Sequence, residues 1–380
     1  MTIPKLNIGL IGFGFIGKLH AKVYESIPYA FPEPAVTARI SAILRQNPGA
    51  DAEFLHTLGD PLVTASSSDF YAQPLDAVDI CSPNVFHREQ ALEAIKNGKH
   101  IYCEKPLGFN LQDARDMVAA ANKTNLITHC AFMMRYIPAV RLMKAVIENG
   151  GIGQPLHFRA HMNHGGYIDT LRPMTWRLRY AMAGGGALAD LGIHLLDLIQ
   201  FLLGKVAWVQ CQTRTFVPHR PSAKGSSQME AVDVDDWALC QLGLPNDACG
   251  TVEVTRVAAG AGEESGLEIH GSLGSLKMDI GHPEQLKYYD VKRKEWIDGK
   301  LEFPPANGLR SLEGLWPPSK QSMGYMLNAH LACCYDFLRS IQEQKPSPLD
   351  FNAALAAQEM LEAAYQSALK GGPRIQLPLP

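Results

Sequence analysis

The chain has 380 residues, 46% of them hydrophobic and 19% charged, with a formal net charge of −3. This is the balance of a globular protein long enough for two domains with cores of their own, and it leaves no basic footprint for nucleic acid. The eight cysteines show neither a C-x-x-C pair nor a metal-ligand spacing, so reduced thiols in a cytoplasmic protein are expected, with no metal.

Residues 6–16 are mostly apolar and follow Lys5, but they lack a small-residue cleavage site and are broken by glycines at a meaningful spacing. The apolar run 191–203 is too short to span a bilayer and carries His194 and Asp197. Neither an export signal nor a membrane segment is expected.

Residues 6–11 read as a strand buried on both faces, running directly into Gly12-Phe13-Gly14-Phe15-Ile16-Gly17 and then a helical stretch over 18–26. Strand, G-x-G-x-x-G, helix is the context that a dinucleotide fingerprint requires. Gly12 permits the tight turn, Gly14 lets the backbone approach the pyrophosphate, and Gly17 allows close helix–strand packing. The pyrophosphate sits on the helix N-terminus, where free N–H groups and the dipole favour an anion.

A second strand is predicted over 40–44, followed by Arg45-Gln46-Asn47. NAD-selective sites place a carboxylate here for the ribose 2′-hydroxyl, and this stretch has none. Arg45 can pair with a 2′-phosphate, lie against the adenine, or be a solvated loop arginine; the missing acid tilts the reading towards NADP, with NAD or NADP as the cofactor.

Alternation continues through a strand at 77–81, the loop Ser82-Pro83-Asn84-Val85-Phe86-His87, a helix ending at Asn97-Gly98, and a strand at 100–103 ending in Glu104-Lys105-Pro106. A helix over 111–122 and a strand over 126–131 complete a doubly wound α/β pattern. Loops at the carboxyl ends of such strands face the ligand crevice, which makes Ser82, Pro83, Asn84, His87, Glu104 and Lys105 cofactor-side candidates. His87 has a clear plainer reading as a helix-start residue and is favoured only as a cofactor-side contact.

From Arg135 onward the texture changes. A helix over 136–148 precedes strands at 156–163, 206–216, 236–242, 250–257, 267–270 and 275–279. Runs of strands after a doubly wound half indicate an α+β domain on a mostly antiparallel open sheet. The reading is therefore a Rossmann domain over 1–131 and a substrate-binding, oligomerisation domain over 132–380. The polar stretch 218–232 reads as a mobile loop, and helices over 325–342 and 351–370 close the chain.

Within this half, Gly184-Gly185-Gly186 leads as a flexible segment into 187–203, which reads as an amphipathic helix of roughly four to five turns. Asp190 and His194 are four apart and share a face. A carboxylate there can hold the imidazole in one tautomer and raise its basicity, as a general base needs. The plainer alternative is a polar stripe on a surface helix.

GFGFIG at 12–17, EKP at 104–106 and Asp190-Leu191-Gly192-Ile193-His194, in that order, together resemble the glucose–fructose oxidoreductase / inositol dehydrogenase (Gfo/Idh/MocA) family over nearly the whole chain. The resemblance implies hydride exchange between a nicotinamide and a sugar, anhydrosugar or cyclitol hydroxyl. It matches Lys105 to the family's EKP lysine and Asp190 and His194 to its D-x-x-x-H pair. It also implies a cis peptide before Pro106, cleft-lining motifs at Arg135-Tyr136-Ile137-Pro138 and Trp176-Arg177, and a homodimer or homotetramer.

On this reading His194 takes the hydroxyl proton, Asp190 orients it, and Lys105 stabilises the developing alkoxide. Tyr136, Asn163, Trp176 and Arg177 are further substrate-side candidates, Trp176 reading equally as core. Two alternatives keep the fold: glycoside cleavage by transient oxidation with bound cofactor, and a non-catalytic nucleotide-sensing regulator.

Overall fold

The computed structural model describes residues 3–297, 301 and 303–380. In chain order the elements begin with β1 (Lys5–Ile11), α1 (Phe15–Ala30), β2 (Thr37–Leu44), α2 (Ala52–Thr57), β3 (Leu62–Thr64), α3 (Ser67–Tyr71), β4 (Ala77–Ile80), α4 (His87–Lys96), β5 (His100–Cys103), α5 (Leu111–Ala121) and β6 (Thr128–Cys130). They continue with α6 (Pro138–Glu148), β7 (Pro155–His164), α7 (Tyr180–Ala183), α8 (Ile193–Leu203), β8 (Trp208–Arg214), β9 (His219–Pro221), β10 (Met229–Ala231), β11 (Trp237–Gly243), β12 (Cys249–Thr255), β13 (Glu263–Gly271), β14 (Gly274–Asp279), β15 (Leu286–Asp290) and β16 (Glu295–Ile297). Helices α9 (Tyr325–Glu343) and α10 (Phe351–Leu369) and the short β17 (Ile375–Gln376) end the chain.

The chain divides into two compact units, Met1–Tyr136 with Arg310–Leu355, and Ile137–Leu309 with Ala356–Pro380. The first carries a six-stranded parallel sheet in the order β3-β2-β1-β4-β5-β6. Its central strands are largely apolar because both faces are covered: Ile8, Leu10, Val78, Ile80 and Ile101 are fully buried. The order reverses between β1 and β4, the switch point at which such sheets open a crevice beyond their carboxyl ends. Hydrogen bonds from Gly12 N to Leu44 O, Cys81 N to Ile11 O and Glu104 N to Ile80 O hold the loops after β1, β4 and β5 at that end.

Helix α9 belongs to this unit, whereas the sequence reading gave it to the second domain. It lies against α1: the Phe31 and Tyr335 rings stack at 4.7 Å and the Tyr335 hydroxyl accepts from Ala35 N at 2.8 Å. A boundary drawn along the sequence cannot register a segment that returns after an entire intervening domain.

The second unit is built on a nine-stranded sheet, β16-β15-β14-β13-β7-β12-β11-β8-β17, antiparallel except where β7 and β12 run parallel. Alternate residues point inward, as Ala238, Cys240 and Leu242 do on β11. Helix α8 is not amphipathic in place: His194, Asp197 and most of its apolar residues are buried. By length and composition alone the run 180–203 would cross a membrane, but it is largely buried within this unit.

The stretch 218–232, expected to be a mobile loop, contains the β9–β10 hairpin. Arg220 is fully buried there and donates to the carbonyl oxygens of Tyr167 and Asp169. Polar composition marks loops, but it does not reveal a guanidinium that saturates buried carbonyls.

A second buried cation fixes the turn after β8. Asp236, fully buried, accepts from Arg256 Nε at 3.1 Å and from the backbone N–H groups of Phe216 and Val217 at 2.8 and 2.9 Å. Asp236→Ala strands the Arg256 charge and two amides, and should cost about 3–5 kcal/mol of unfolding free energy in denaturant titrations. A loss below about 1 kcal/mol, the scale of an exposed pair, would contradict this role.

Candidate active site

The turn after β1 is shaped by its glycines. Gly12 has φ +89, and a Cβ there would stand 2.9 Å from the Cys81 carbonyl carbon and oxygen and from Ser82 N. A Cβ on Gly17 would meet the Gly12 carbonyl oxygen at 2.3 Å. Gly14 is the opposite case, with nothing within 4 Å of the position a Cβ would take. Phe15 and Ile16 open α1, whose N-terminus has no side-chain cap. A close turn, an open approach at Gly14 and uncapped amide groups fit a bound pyrophosphate. Within the same turn Phe13 is buried and Phe15 is exposed.

Arg45 is not a solvated loop residue. Its Nη1 donates to Asp51 at 2.8 Å, and its guanidinium lies 5.6 Å from the Phe13 ring centroid. After β4, Pro83 precedes a 3₁₀ turn over Asn84–Phe86 in which Asn84 is buried, and Ser82 Oγ donates to Gln90 Oε1 at 2.6 Å. His87 corrects the expectation of a cofactor-side contact. It is fully buried, with Nδ1 3.0 Å from Pro106 O and Nε2 3.0 Å from Ser82 O, so it ties the two loops to each other. Lys105 is half-buried at the end of β5, and the Lys105–Pro106 bond is cis, as expected.

Beneath Glu104 lies a cluster that no sequence spacing announces. His20 of α1 donates from Nδ1 to Asp79 at 2.9 Å; its Nε2 faces His330 Nδ1 at 3.2 Å and Glu104 Oε1 at 3.4 Å. Tyr24 and Cys81 also donate to Asp79. Burial alone would lower the His20 pKa, but the Asp79 carboxylate, supported by Glu104, raises it to about 10. Burial likewise opposes ionisation of Glu104, yet the hydrogen bond and charge of His20 bring it down to about 2. His330, buried and beside that imidazolium, falls to about 3. His20, Glu104 and His330 each offer a ligand atom within 4.8 Å of the others, a spacing a metal would accept. The His20 imidazolium is nonetheless already flanked by two carboxylates, Asp79 on one ring nitrogen and Glu104 near the other.

In the second unit Gly184 closes α7 with φ +69, and Gly185 and Gly186 pack rather than flex. A Cβ on Gly186 would meet Asp235 O at 2.0 Å, and one on Gly185 the Tyr365 hydroxyl at 2.2 Å. Asp235 accepts from Gly186 N and Leu188 N at 2.9 and 2.8 Å and from Tyr365 OH at 2.8 Å. Burial raises its pKa, and those donors partly offset the rise. This clamp starts a π-helical turn over Leu188–Gly192, continued by α8 from Ile193. Asp190 lies in the π turn and His194 in the first turn of α8; such turns are frequent where a helix carries function.

Arg177 Nε stands 4.0 Å from Asp190 Oδ2, and its guanidinium lies 4.4 Å from the Trp176 ring centroid. Trp176, Arg177 and Asp190 are thus brought into one chain of contacts. Asn163 lies near the end of β7, opposite Thr255 and Glu264. Tyr136 corrects another expectation: it is fully buried in the first unit, its hydroxyl donating to Asp336 at 2.6 Å, and is core rather than cleft.

A parallel doubly wound sheet with this glycine cradle defines a dinucleotide-binding enzyme domain. Residues 6–132 match the family model described as oxidoreductase family, NAD-binding Rossmann fold, and residues 140–277 match the GFO/IDH/MocA C-terminal domain. The levoglucosan dehydrogenase of Pseudarthrobacter phenanthrenivorans is 32% identical over 98% of this chain and 100% of its own. The 1,5-anhydro-D-fructose reductase of Ensifer adhaerens is 40% identical over 53% of this chain and 56% of its own. A solved levoglucosan dehydrogenase in complex with NADH and levoglucosan superposes with a TM-score of 0.88 at 32% identity, covering 99% of this chain and 100% of that one. The chain belongs to the Gfo/Idh/MocA oxidoreductase family and uses a nicotinamide dinucleotide.

The buried cluster predicts a pH signature. His20 has a folded pKa above its ordinary 6.5, so its stabilisation is complete below 6.5 and fades as pH rises to about 10. Glu104 is depressed from 4.5, so its contribution is complete above 4.5 and fades as pH falls to about 2. Unfolding free energy measured across this span should decline on the alkaline side in the unaltered protein. His20→Gln should be less stable and should flatten that decline; parallel profiles would contradict the assignment.

Proposed function

We propose that this enzyme oxidises a secondary ring hydroxyl of a sugar, anhydrosugar or cyclitol, with anhydrosugars foremost. The observation that carries the reading is the full-length similarity to a levoglucosan dehydrogenase, over 98% of this chain and 100% of that one. A myo-inositol 2-dehydrogenase of Thermotoga maritima, 28% identical over 72% of this chain, supports the wider substrate class.

The bound nicotinamide supplies the hydride acceptor. The dinucleotide is held by the turn Gly12 to Gly17, with Arg45 towards the adenosine end and Ser82, Pro83, Asn84 and Glu104 on the loops after β4 and β5. His194 accepts the substrate hydroxyl proton on a ring nitrogen as the C–H bond of the carbon bearing that hydroxyl gives up its hydride and the C–O bond becomes a carbonyl. Asp190 orients that imidazole and stabilises its charged form. Lys105 donates to the substrate oxygen and stabilises its alkoxide character. The buried position of His194 supports its role, because little water competes for its proton. Arg177, resting on Trp176 beside Asp190, and Asn163 offer donors for the remaining hydroxyls. The eight free thiols suit a cytoplasmic protein, and the broad open sheet suits a homodimer or homotetramer.

Levoglucosan, myo-inositol and glucose, each incubated with NAD and with NADP, and 1,5-anhydrofructose, incubated with NADH and with NADPH, test the substrate class through formation or loss of reduced nicotinamide. Turnover of none of them would overturn it. His194→Ala and Lys105→Ala should each lower kcat by about a hundred- to ten-thousand-fold while leaving the dinucleotide Kd nearly unchanged. Asp190→Asn should cost less than His194→Ala, and adding it to His194→Ala should cost little more, since an orienter has nothing left to orient. Turnover near that of the unaltered enzyme in His194→Ala would remove it as the base.

A further inference from the structure

The carboxyl end of β2 is where a Rossmann domain meets the adenosine ribose, and in this chain the residue there is Arg45. The acid missing from that position is supplied from six residues further on. Asp51, with φ +66, immediately precedes α2. Its Oδ2 accepts from Arg45 Nη1 at 2.8 Å, and its Oδ1 accepts from Lys18 Nζ at 2.6 Å. Lys18 belongs to the first turns of α1, directly after the glycine turn. Both cations also flank Phe13 of that turn, at 5.6 Å for Arg45 and 6.0 Å for Lys18, and Phe54 of α2 meets the same ring edge-on at 5.7 Å.

One carboxylate therefore holds two cations beside the glycine turn. The side chains are 15% exposed for Arg45, 26% for Asp51 and 37% for Lys18, so the cluster is open to a ligand yet partly shielded. Hydrogen bonds from Lys18 and Arg45 hold the Asp51 carboxyl below its ordinary range, so it is ionised at neutral pH. A 2′-phosphate would need those same two cations, and would meet the carboxylate as a like charge. A 2′-hydroxyl needs only an acceptor, which the carboxylate provides.

We propose that Asp51 sets the choice of cofactor: it occupies Arg45 and Lys18, accepts from the ribose 2′-hydroxyl, and makes NAD the preferred dinucleotide over NADP. This rests on the reading of the glycine turn as the dinucleotide site. It reverses the tilt that the bare sequence around Arg45 gives.

The test is binding without substrate: Kd values for NADH and NADPH by fluorescence titration of the full chain, at fixed ionic strength. The unaltered protein should bind NADH at least about tenfold more tightly, a difference of about 1.4 kcal/mol. Asp51→Asn, which tolerates the left-handed backbone, should weaken NADH, tighten NADPH and move the ratio by about a hundredfold. Asp51→Gly, a second variant suited to that backbone, should move it the same way. Arg45→Gln added to Asp51→Asn should abolish the NADPH gain, because it removes one of the freed cations.

Tighter NADPH binding by the unaltered protein, or a ratio within about twofold of unchanged in both Asp51 variants, would overturn the proposal while leaving the dinucleotide site intact. Absence of binding of either dinucleotide to the unaltered protein would overturn the site itself, and the proposal with it.

Discussion

The first unit is arranged around an ionised histidine that is closed off from solvent. His20 is fully buried and carries Asp79 on one nitrogen, with Glu104 and His330 at the other. A charge in that position is tolerable only when countercharges surround it, and the pairing is costly to break because each remaining ion is left in a low-dielectric core. The partners come from α1, β4, the segment after β5, and α9. The helix that opens at the glycine turn is thereby fixed to the segment that ends in Lys105. His87 adds a second tie one layer out, joining the Ser82 and Pro106 loops through their carbonyls. A dinucleotide site of this kind needs several loops held at once, and these two buried histidines hold them from beneath.

The second unit solves a similar problem with a carboxylate. Asp235 gathers the first amides of the π turn and the Tyr365 hydroxyl, and Gly186 is there because only a hydrogen fits against the Asp235 backbone. The peptide that leads to Asp190 and His194 is consequently seated before any substrate arrives. Preorganisation of this sort spares a segment the cost of reordering when a ligand binds.

Much of this was legible in residue order. Apolar runs broken by glycine gave the parallel strands and the cradle, since both follow from local rules of burial and backbone freedom. The EKP and D-x-x-x-H segments likewise advertised themselves. What the sequence hid depends on contacts between distant positions. His20 and His330 are 310 residues apart, and neither has neighbours that suggest ionisation. Tyr136 and His87 look like cleft residues until their polar atoms are found on Asp336 and on backbone carbonyls. Asp51 lies too far along the chain for the usual spacing and reaches Arg45 only because the backbone turns left-handed before α2. Arg220 in its hairpin shows that a polar stretch can be a built core when its cation bonds carbonyls.

The π-helical turn over Leu188–Gly192 has a consequence for how this segment tolerates changes in length. A π turn is equivalent to one extra residue accommodated within a helix, so the stretches on either side are out of phase by one position. Deleting a single residue there would restore an unbroken α-helix with a regular hydrogen-bond ladder. That gain in local regularity would rotate every downstream side chain by about 100° relative to those upstream. His194 and the buried apolar residues of α8 would turn relative to the segment that Asp235 anchors. A shorter, smoother helix at this point would therefore be the damaging one.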